Sequence, residues 1–230
     1  MTAPVQALFA PFRLGNLELP TRVVMAPMTR SFSPGGVPNA QVVEYYRRRA
    51  AAGVGLIVTE GTTVGHKASN GYPHVPRFYG EDALAGWKQV VDAVHAEGGK
   101  IVPQLWHVGN VRKAGTEPDA SVPGYGPSEK VKDGTVVVHG MTKDDIQEVI
   151  AAFAQAARDA KAIGMETERK KGNSRPPCAI LGIEGGSPGP RPRILSMPRC
   201  FPSRGNRGAR FGTVLRAKGP GLHLMGGGAS

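Results

Sequence analysis

The chain has 230 residues, 40% of them apolar, which suits one barrel-sized domain or a smaller domain with an appendage. No apolar run approaches the roughly 20 residues that a membrane helix needs, and residues 1–11 show no leader or cleavage signal, so we expect a mature cytoplasmic protein. The net charge of +11 is uneven, because 12 Lys and Arg face three Glu from Met165 onward, whereas residues 1–164 are nearly balanced. Cys178 and Cys200 lack CxxC spacing, which disfavours a disulfide.

A β-hairpin and a buried strand are predicted first. Two short apolar-alternating arms, 12–14 and 17–19, flank Gly15-Asn16, a pair typical of a two-residue hairpin turn. Pro20 ends the hairpin. Residues 22–28 then have the length and composition of a buried strand.

A helix and a second strand follow. Asn39 is expected to cap a helix over 40–52 that ends at Gly53. The second buried strand is predicted over 55–61. The next segment, 62–80, is longer than most connections in compact domains, which indicates a functional loop.

The next helix and strand have the clearest pattern. Residues 81–97 carry apolar side chains spaced by three and four, which places on one helix face Leu84, Trp87, Val91 and Val94. Gly98-Gly99 ends this helix, and residues 100–106 form the third predicted strand. An excursion rich in Gly and Pro, 107–140, contains a short predicted strand at 135–138.

A third helix begins after the excursion. Thr142 and Asp145 resemble a capping box, with Asp in place of Glu or Gln, and the helix is predicted to run to Ile163. Strands near 22, 55 and 100 alternate with helices, so we predict an α/β fold of the (β/α)8 TIM-barrel type, with its first three βα units present. In such a barrel, the chemistry lies at the carboxyl ends of the strands.

The pattern stops at Gly164, where a fourth strand is due. Five of the seven residues 165–171 are charged, and 165–230 contains 13 Gly and 8 Pro. That composition is typical of disorder. We therefore divide the chain into a partial barrel, 1–164, and a basic tail, 165–230. A frameshift, a misread splice or a truncated gene is our hypothesis for the abrupt change.

Six ordered stretches resemble the Old Yellow Enzyme family of FMN-dependent NAD(P)H:flavin oxidoreductases. They are Pro11-Phe12-Arg13-Leu14-Gly15-Asn16-Leu17, Met25-Ala26-Pro27-Met28-Thr29-Arg30, Thr59-Glu60-Gly61-Thr62, Gly71-Tyr72-Pro73, Gly86-Trp87-Lys88 and Gln104-Leu105-Trp106-His107-Val108-Gly109. The resemblance covers residues 1–164 and implies the first three units of an eight-unit barrel.

The resemblance implies FMN as cofactor and NAD(P)H as hydride donor. The reduced flavin would pass hydride to the activated C=C of a small enone-like molecule, as an ene-reductase does. The residues that would bind FMN are Ala26, Pro27, Thr29, Gly61 and Gln104. Among them, the Thr29 hydroxyl would tune the flavin, Gly61 would let the ring approach the backbone, and Gln104 would bond the pyrimidine edge. Tyr72 and Trp106 would line the substrate side.

The catalytic residues of the family have no counterpart here. Its fourth strand carries a His and, three residues later, a His or Asn, followed by a tyrosine proton donor. None of these matches a position in the chain, so we assign no catalytic residue and expect little or no ene-reductase activity. An open barrel would also leave unpaired strand edges, which favour self-association.

Other interpretations of the same residues stay open. Taken alone, Thr29 is more typical of a cap, Trp106 of a core residue and His107 of a hydrogen-bonded loop residue, while a buried amide at Gln104 needs partners. The remaining histidines are scattered, so we expect no metal site. The alternative function is a non-enzymatic fragment or basic protein whose tail binds acidic partners. That tail lacks interleaved aromatic residues, so we expect no specific nucleic acid and no membrane partner.

Overall fold

A computed structural model of the chain describes residues 5–166 and two short segments, Ile180–Gly182 and His223–Met225. Residues 5–166 are called the body below. Cys178 and Cys200 lie outside the described residues, as does most of the segment predicted to be disordered. Within the described part, no helix is long and apolar enough to cross a bilayer.

The body opens with the expected hairpin. After a 3-10 turn at Val5–Phe9, strands β1 (Phe12–Leu14) and β2 (Leu17–Leu19) pair in antiparallel register. Strand β3 covers Val23–Met25, so the predicted strand over 22–28 is too long. Pro27 has no N–H to donate to a ladder, which is the physical reason for an early end.

Two βα repeats follow. Helix α1 (Ala40–Ala51) is capped by Asn39, whose side chain accepts from the amides of Gln41 and Val42. Strand β4 (Leu56–Thr63) runs two residues past its predicted end, and helix α2 (Glu81–Ala96) and strand β5 (Lys100–Trp106) lie where the sequence predicts them.

The excursion after β5 folds into a small sheet. Strands β6 (Gly124–Gly126), β7 (Lys130–Lys132) and β8 (Thr135–Gly140) are ordered β6-β8-β7. The predicted strand at 135–138 is confirmed, but β6 and β7 had no signal in the sequence. Helix α3 (Lys143–Ala162) follows, with the predicted capping box of Thr142 and Asp145.

The main sheet is parallel and five-stranded. Its order is β10-β3-β4-β5-β9, where β9 is Ile180–Gly182 and β10 is His223–Met225. Strand β9 pairs with β5, and β10 pairs with β3. The sequence assigned no structure after Gly164, so these two strands were not predicted, and they extend the sheet beyond β3 and β5. Three residues carry too weak a side-chain pattern to be detected.

The core lies between the sheet and its helices. Trp87 is fully buried, with its ring near those of Tyr46 and Phe78. Apolar residues of β4 and β5, such as Ile57 and Leu105, face this cluster. The other sheet face buries a smaller cluster: Leu19, Val24, Leu56 and Val58. Because both faces are covered, the first three residues of β4, Leu56, Ile57 and Val58, are all apolar, as in a barrel wall.

Candidate functional site

The carboxyl ends of β4 and β5 bring two predicted cofactor residues together. Gly61 and Gln104 are register partners on these neighbouring strands, just after an irregularity in the ladder between Val58 and Gly61. Thr59 and Thr62 fix that irregularity. The Gln104 backbone N–H donates to the Thr59 hydroxyl at 3.0 Å, and the Thr62 hydroxyl donates to the Gln104 backbone carbonyl at 2.9 Å.

Gln104 lies on the sheet face opposite the helices. Strand residues alternate between faces, and Ile101 and Leu105 belong to the helix-facing core, whereas Val102 packs against the other cluster. Gln104 therefore shares the face of Val102 and is half-buried. This places its amide at the strand end, on the side that is the interior of a barrel.

Trp106 lies directly over Gly61. A Cβ atom added at Gly61 would be 2.4 Å from Cε3 of the Trp106 indole, so any other residue here would require the indole to move. The Tyr72 ring is 5.7 Å from that of Trp106, so the two predicted substrate-side residues meet. The Trp106 Nε1 atom is buried with no hydrogen-bond partner among the described residues. An unpaired indole N–H beside these strand ends suits a polar ligand atom.

The segment after β3 supplies the remaining predicted residues. Ala26 and Pro27 are half-buried, and Thr29 is exposed. The next residue, Arg30, reaches the fully buried Glu60, with 2.6 Å between Arg30 Nη2 and Glu60 Oε1. This ion pair ties the Thr29 segment to the residue before Gly61. We refer to Thr29, Gly61 and Gln104, with Tyr72 and Trp106, as the strand-end site.

Sequence reasoning assigned no role to Glu60. Its carboxylate is the acidic group of a strand buried along its whole length. A carboxylate in a buried apolar run needs a cation or several donors, and that was the available signal. The partner, Arg30, lies 30 residues earlier, and only the fold shows the contact.

Two histidines form a second buried group beside the site. The Gly109 amide donates to His107 Nδ1 at 3.0 Å, and His107 Nε2 is 2.9 Å from His66 Nδ1. The Ala68 amide also donates to His66 Nδ1, at 3.2 Å. These amides require His107 to carry its proton on Nε2 and His66 to carry its own on Nε2. Burial lowers the pKa of His107 to about 3 and, with Lys67 nearby, lowers that of His66.

Arg112 organises the loop after this pair. Its side chain is fully buried and donates only to backbone carbonyls, at distances from 2.6 to 3.1 Å. The acceptors are Val122, Asn70, Glu117, Thr116 and Asp119. Burial lowers the pKa of the Arg112 guanidinium. Satisfying all five guanidinium donors holds the excursion against the loop that carries Tyr72.

Metal ligands do not cluster in the described part of the chain, where no three His, Cys, Asp or Glu side chains are placed to hold an ion.

Comparison with known proteins decides the family. Residues 7–167 match the NADH:flavin oxidoreductase / NADH oxidase family. The chain belongs to this family. Its sequence resemblance to Old Yellow Enzymes is thereby confirmed.

Curated relatives include plant and fungal reductases. A putative 12-oxophytodienoate reductase of Oryza sativa is 38% identical over 164 residues, which are 69% of this chain and 43% of the relative. A flavin oxidoreductase of Emericella nidulans is 37% identical over 185 residues, covering 71% of this chain and 45% of the relative. The chain thus spans less than half the length of these relatives.

Solved structures agree with the fold. Morphinone reductase in complex with tetrahydroNAD is 38% identical, with a TM-score of 0.62 over 70% of this chain and 48% of that structure. An old yellow enzyme homologue from Zymomonas mobilis is 29% identical, with the same TM-score of 0.62 over 70% of this chain and 47% of its own. These neighbours are TIM barrels, which supports the predicted fold class.

Proposed function

We propose that the strand-end site binds the isoalloxazine of FMN and that this chain is a flavoprotein of the Old Yellow Enzyme type. The observation that carries the proposal is the register of β4 and β5, which puts the flat backbone of Gly61 beside Gln104 at the strand ends. A flavin needs a flat surface and fixed donors around its polar rim. The family membership supports the same ligand.

Each residue of the site has a proposed task. The side-chain amide of Gln104 would hydrogen-bond the pyrimidine edge of the flavin. Ala26, Pro27 and Thr29 would lie along the isoalloxazine ring. Gly61 would admit close approach, provided that the Trp106 indole, which now covers it, turns toward Tyr72. Bound FMN would supply hydride transfer from NAD(P)H to the activated C=C of a small enone-like molecule. We propose that this takes place in the cytoplasm.

We further propose that the chain by itself turns over enones poorly or not at all. Strand β9 pairs with the carboxyl end of β5, where a barrel of this family has its fourth strand. Its residues, Ile180, Leu181 and Gly182, offer no imidazole to hold a substrate carbonyl and no phenol to donate a proton. Self-association and a separate role for residues 165–230 stay proposals. Gel filtration of the purified chain tests the first of them.

Reconstitution with excess FMN, followed by desalting, tests the main proposal. We expect retained flavin absorbance near ~450 nm, a property of the cofactor itself. The Gln104→Leu variant should retain about tenfold less flavin, since one charge-free hydrogen bond with its desolvation cost is worth about 1–2 kcal/mol. The exposed α2 residue Gln89 provides the matched control, Gln89→Leu. A colourless wild-type chain would refute FMN binding.

NADPH oxidation with a simple cyclic enone tests the activity. We expect FMN-loaded chain to reduce the enone at least about a thousandfold more slowly than a typical median enzyme rate of ~10 per second. Steady turnover at ordinary rates would show that the missing imidazoles and phenol are supplied in another way.

A further inference from the structure

Glu60 holds residue 30 through both of its carboxylate oxygens. Oε1 accepts from Arg30 Nη2 at 2.6 Å, and Oε2 accepts from the Arg30 backbone amide at 3.2 Å. The Glu60 side chain is fully buried, and that of Arg30 is 15% exposed. The charge-assisted bond to the side chain neutralises the buried carboxylate, and the bond to the main chain fixes the position of the segment.

Tyr46 of α1 holds Glu60 from the other side. The Glu60 amide donates to the Tyr46 hydroxyl at 2.8 Å, and that hydroxyl lies 3.4 Å from Glu60 Oε1. Burial and the charge of Glu60 raise the pKa of Tyr46, so its O–H stays available to the carboxylate. The backbone and the side chain of Glu60 are therefore both fixed to a core helix.

Arg30 is also held by stacking. Its guanidinium carbon lies 3.5 Å from the centroid of the Tyr45 ring, and that of Arg49 lies 3.4 Å from the same centroid. The planar guanidinium of Arg30 thus has one preferred plane, in line with its contact to Glu60.

The sheet itself does not fix this part of the site. Strands β3 and β4 pair only through Val24 with Leu56 and Met25 with Ile57. Beyond Met25, the contact from Arg30 to Glu60 joins the two segments. Thr29 directly precedes Arg30, and Gly61 directly follows Glu60, so the relative position of these two site residues depends on the ion pair.

We infer that Glu60 is a positioning residue that, through Arg30 and Tyr46, sets the separation of Thr29 from Gly61. This separation is the width of the flavin slot, the space in the strand-end site that would receive the isoalloxazine. This inference rests on the proposed function. Glu60 touches no ligand in this role. It acts on FMN binding through the backbone on either side of the slot.

The inference is tested by titrating the full-length chain with FMN, with binding monitored by the quenching of flavin fluorescence. Glu60→Gln keeps the shape of the side chain but removes its charge, and it should weaken FMN binding by at least tenfold. At saturating FMN, it should also change the visible circular dichroism of the bound flavin, which loss of global stability alone would not do. Tyr46→Phe should weaken binding by at least threefold.

Glu44→Gln is the matched control, because Glu44 also pairs with an arginine, Arg47, but on the exposed side of α1. It should bind FMN within twofold of the wild-type chain. If Glu60 acts through Arg30, the double variant Arg30→Gln/Glu60→Gln should bind no more weakly than Arg30→Gln alone. Where Glu60→Gln does not fold, Tyr46→Phe decides the question.

The outcomes separate the two proposals. A wild-type chain that binds no FMN overturns the proposed function and the slot role of Glu60 together. The inference alone is overturned if the wild-type chain binds FMN and a folded variant, Glu60→Gln or Tyr46→Phe, binds it equally well. The bound flavin would then also give the same spectrum in both proteins.

Discussion

The body and the two later strands join one sheet by different means. In the body, β4 and β5 pair over six residue positions, and helix α2 connects them and packs its buried face against them. Strands β9 and β10 each pair over three positions. A parallel sheet edge offers the same row of N–H and C=O groups whatever its side chains. The difference shows that a sheet can extend beyond the strands that the sequence pattern predicts.

This comparison predicts that core substitutions in the body have the largest effect. Trp87 is fully buried, and its indole N–H donates to the Arg77 carbonyl at 3.1 Å. Trp87→Ala should lower the free energy of unfolding by about 3–5 kcal/mol, measured by denaturant titration with far-UV circular dichroism. Val131→Ala, at an exposed valine, should change it by less than about 0.5 kcal/mol. If Trp87→Ala and Val131→Ala lowered the free energy of unfolding equally, burial in the core would not be what stabilises the body.

Acid should destabilise the body through His66 and His107. Both pKa values are lowered by burial, so the unfolded chain, with a histidine pKa near ~6.5, binds protons first. The contribution of the two neutral histidines to the free energy of unfolding is therefore fully present above about pH 6.5. It should fall as the pH is lowered, by up to about 1.4 kcal/mol per pH unit for each histidine, and for His107 until its folded pKa of about 3 is reached.

Unfolding by denaturant at a series of pH values measures this slope. His107→Asn should reduce it, because one buried imidazole no longer has to charge. His74→Asn is the control, since His74 is exposed and has a positive φ of 55°, which asparagine tolerates. A slope that His107→Asn leaves unchanged would assign the acid sensitivity to other groups.

A break in β9 should have the smallest effect on stability. Leu181→Pro places a proline at the register partner of Leu105, and disruption of about one edge hydrogen bond costs about 1 kcal/mol. Hydrogen exchange of the β5 amides should rise locally, while the unfolding midpoint of the body stays nearly constant. Leu181→Ala is the matched control. A loss as large as that of Trp87→Ala would mean that the later strands belong to the same cooperative unit.

Much of the body was predictable because local signals and packing agree. The caps at Asn39 and Thr142 and the apolar face of α2 mark the helices before any tertiary contact is known. The excursion after β5 was less predictable. Strand β7 is exposed along its length and β6 is Gly-Tyr-Gly, so neither shows an alternating pattern.

The candidate site was predictable in its residue types but not in its geometry. The sequence placed Gly61 and Gln104 at strand ends by resemblance, and the register makes them neighbours. It gave no sign that the Trp106 indole covers Gly61 or that His107 meets His66, because those contacts join residues that are 45 and 41 positions apart. Only a ladder with a defined register converts such separations into distances.

By itself, the sequence determined helices α1 to α3, the hairpin, strands β3, β4, β5 and β8, and the family, because these follow from periodicity, caps, turn residues and ordered motifs. The tertiary structure decided how Glu60 pairs with Arg30 and where two short later segments join the sheet. A buried charge takes whichever partner the fold brings within reach, and a sheet edge accepts whichever backbone lies beside it. Neither choice is written in the local pattern of side chains.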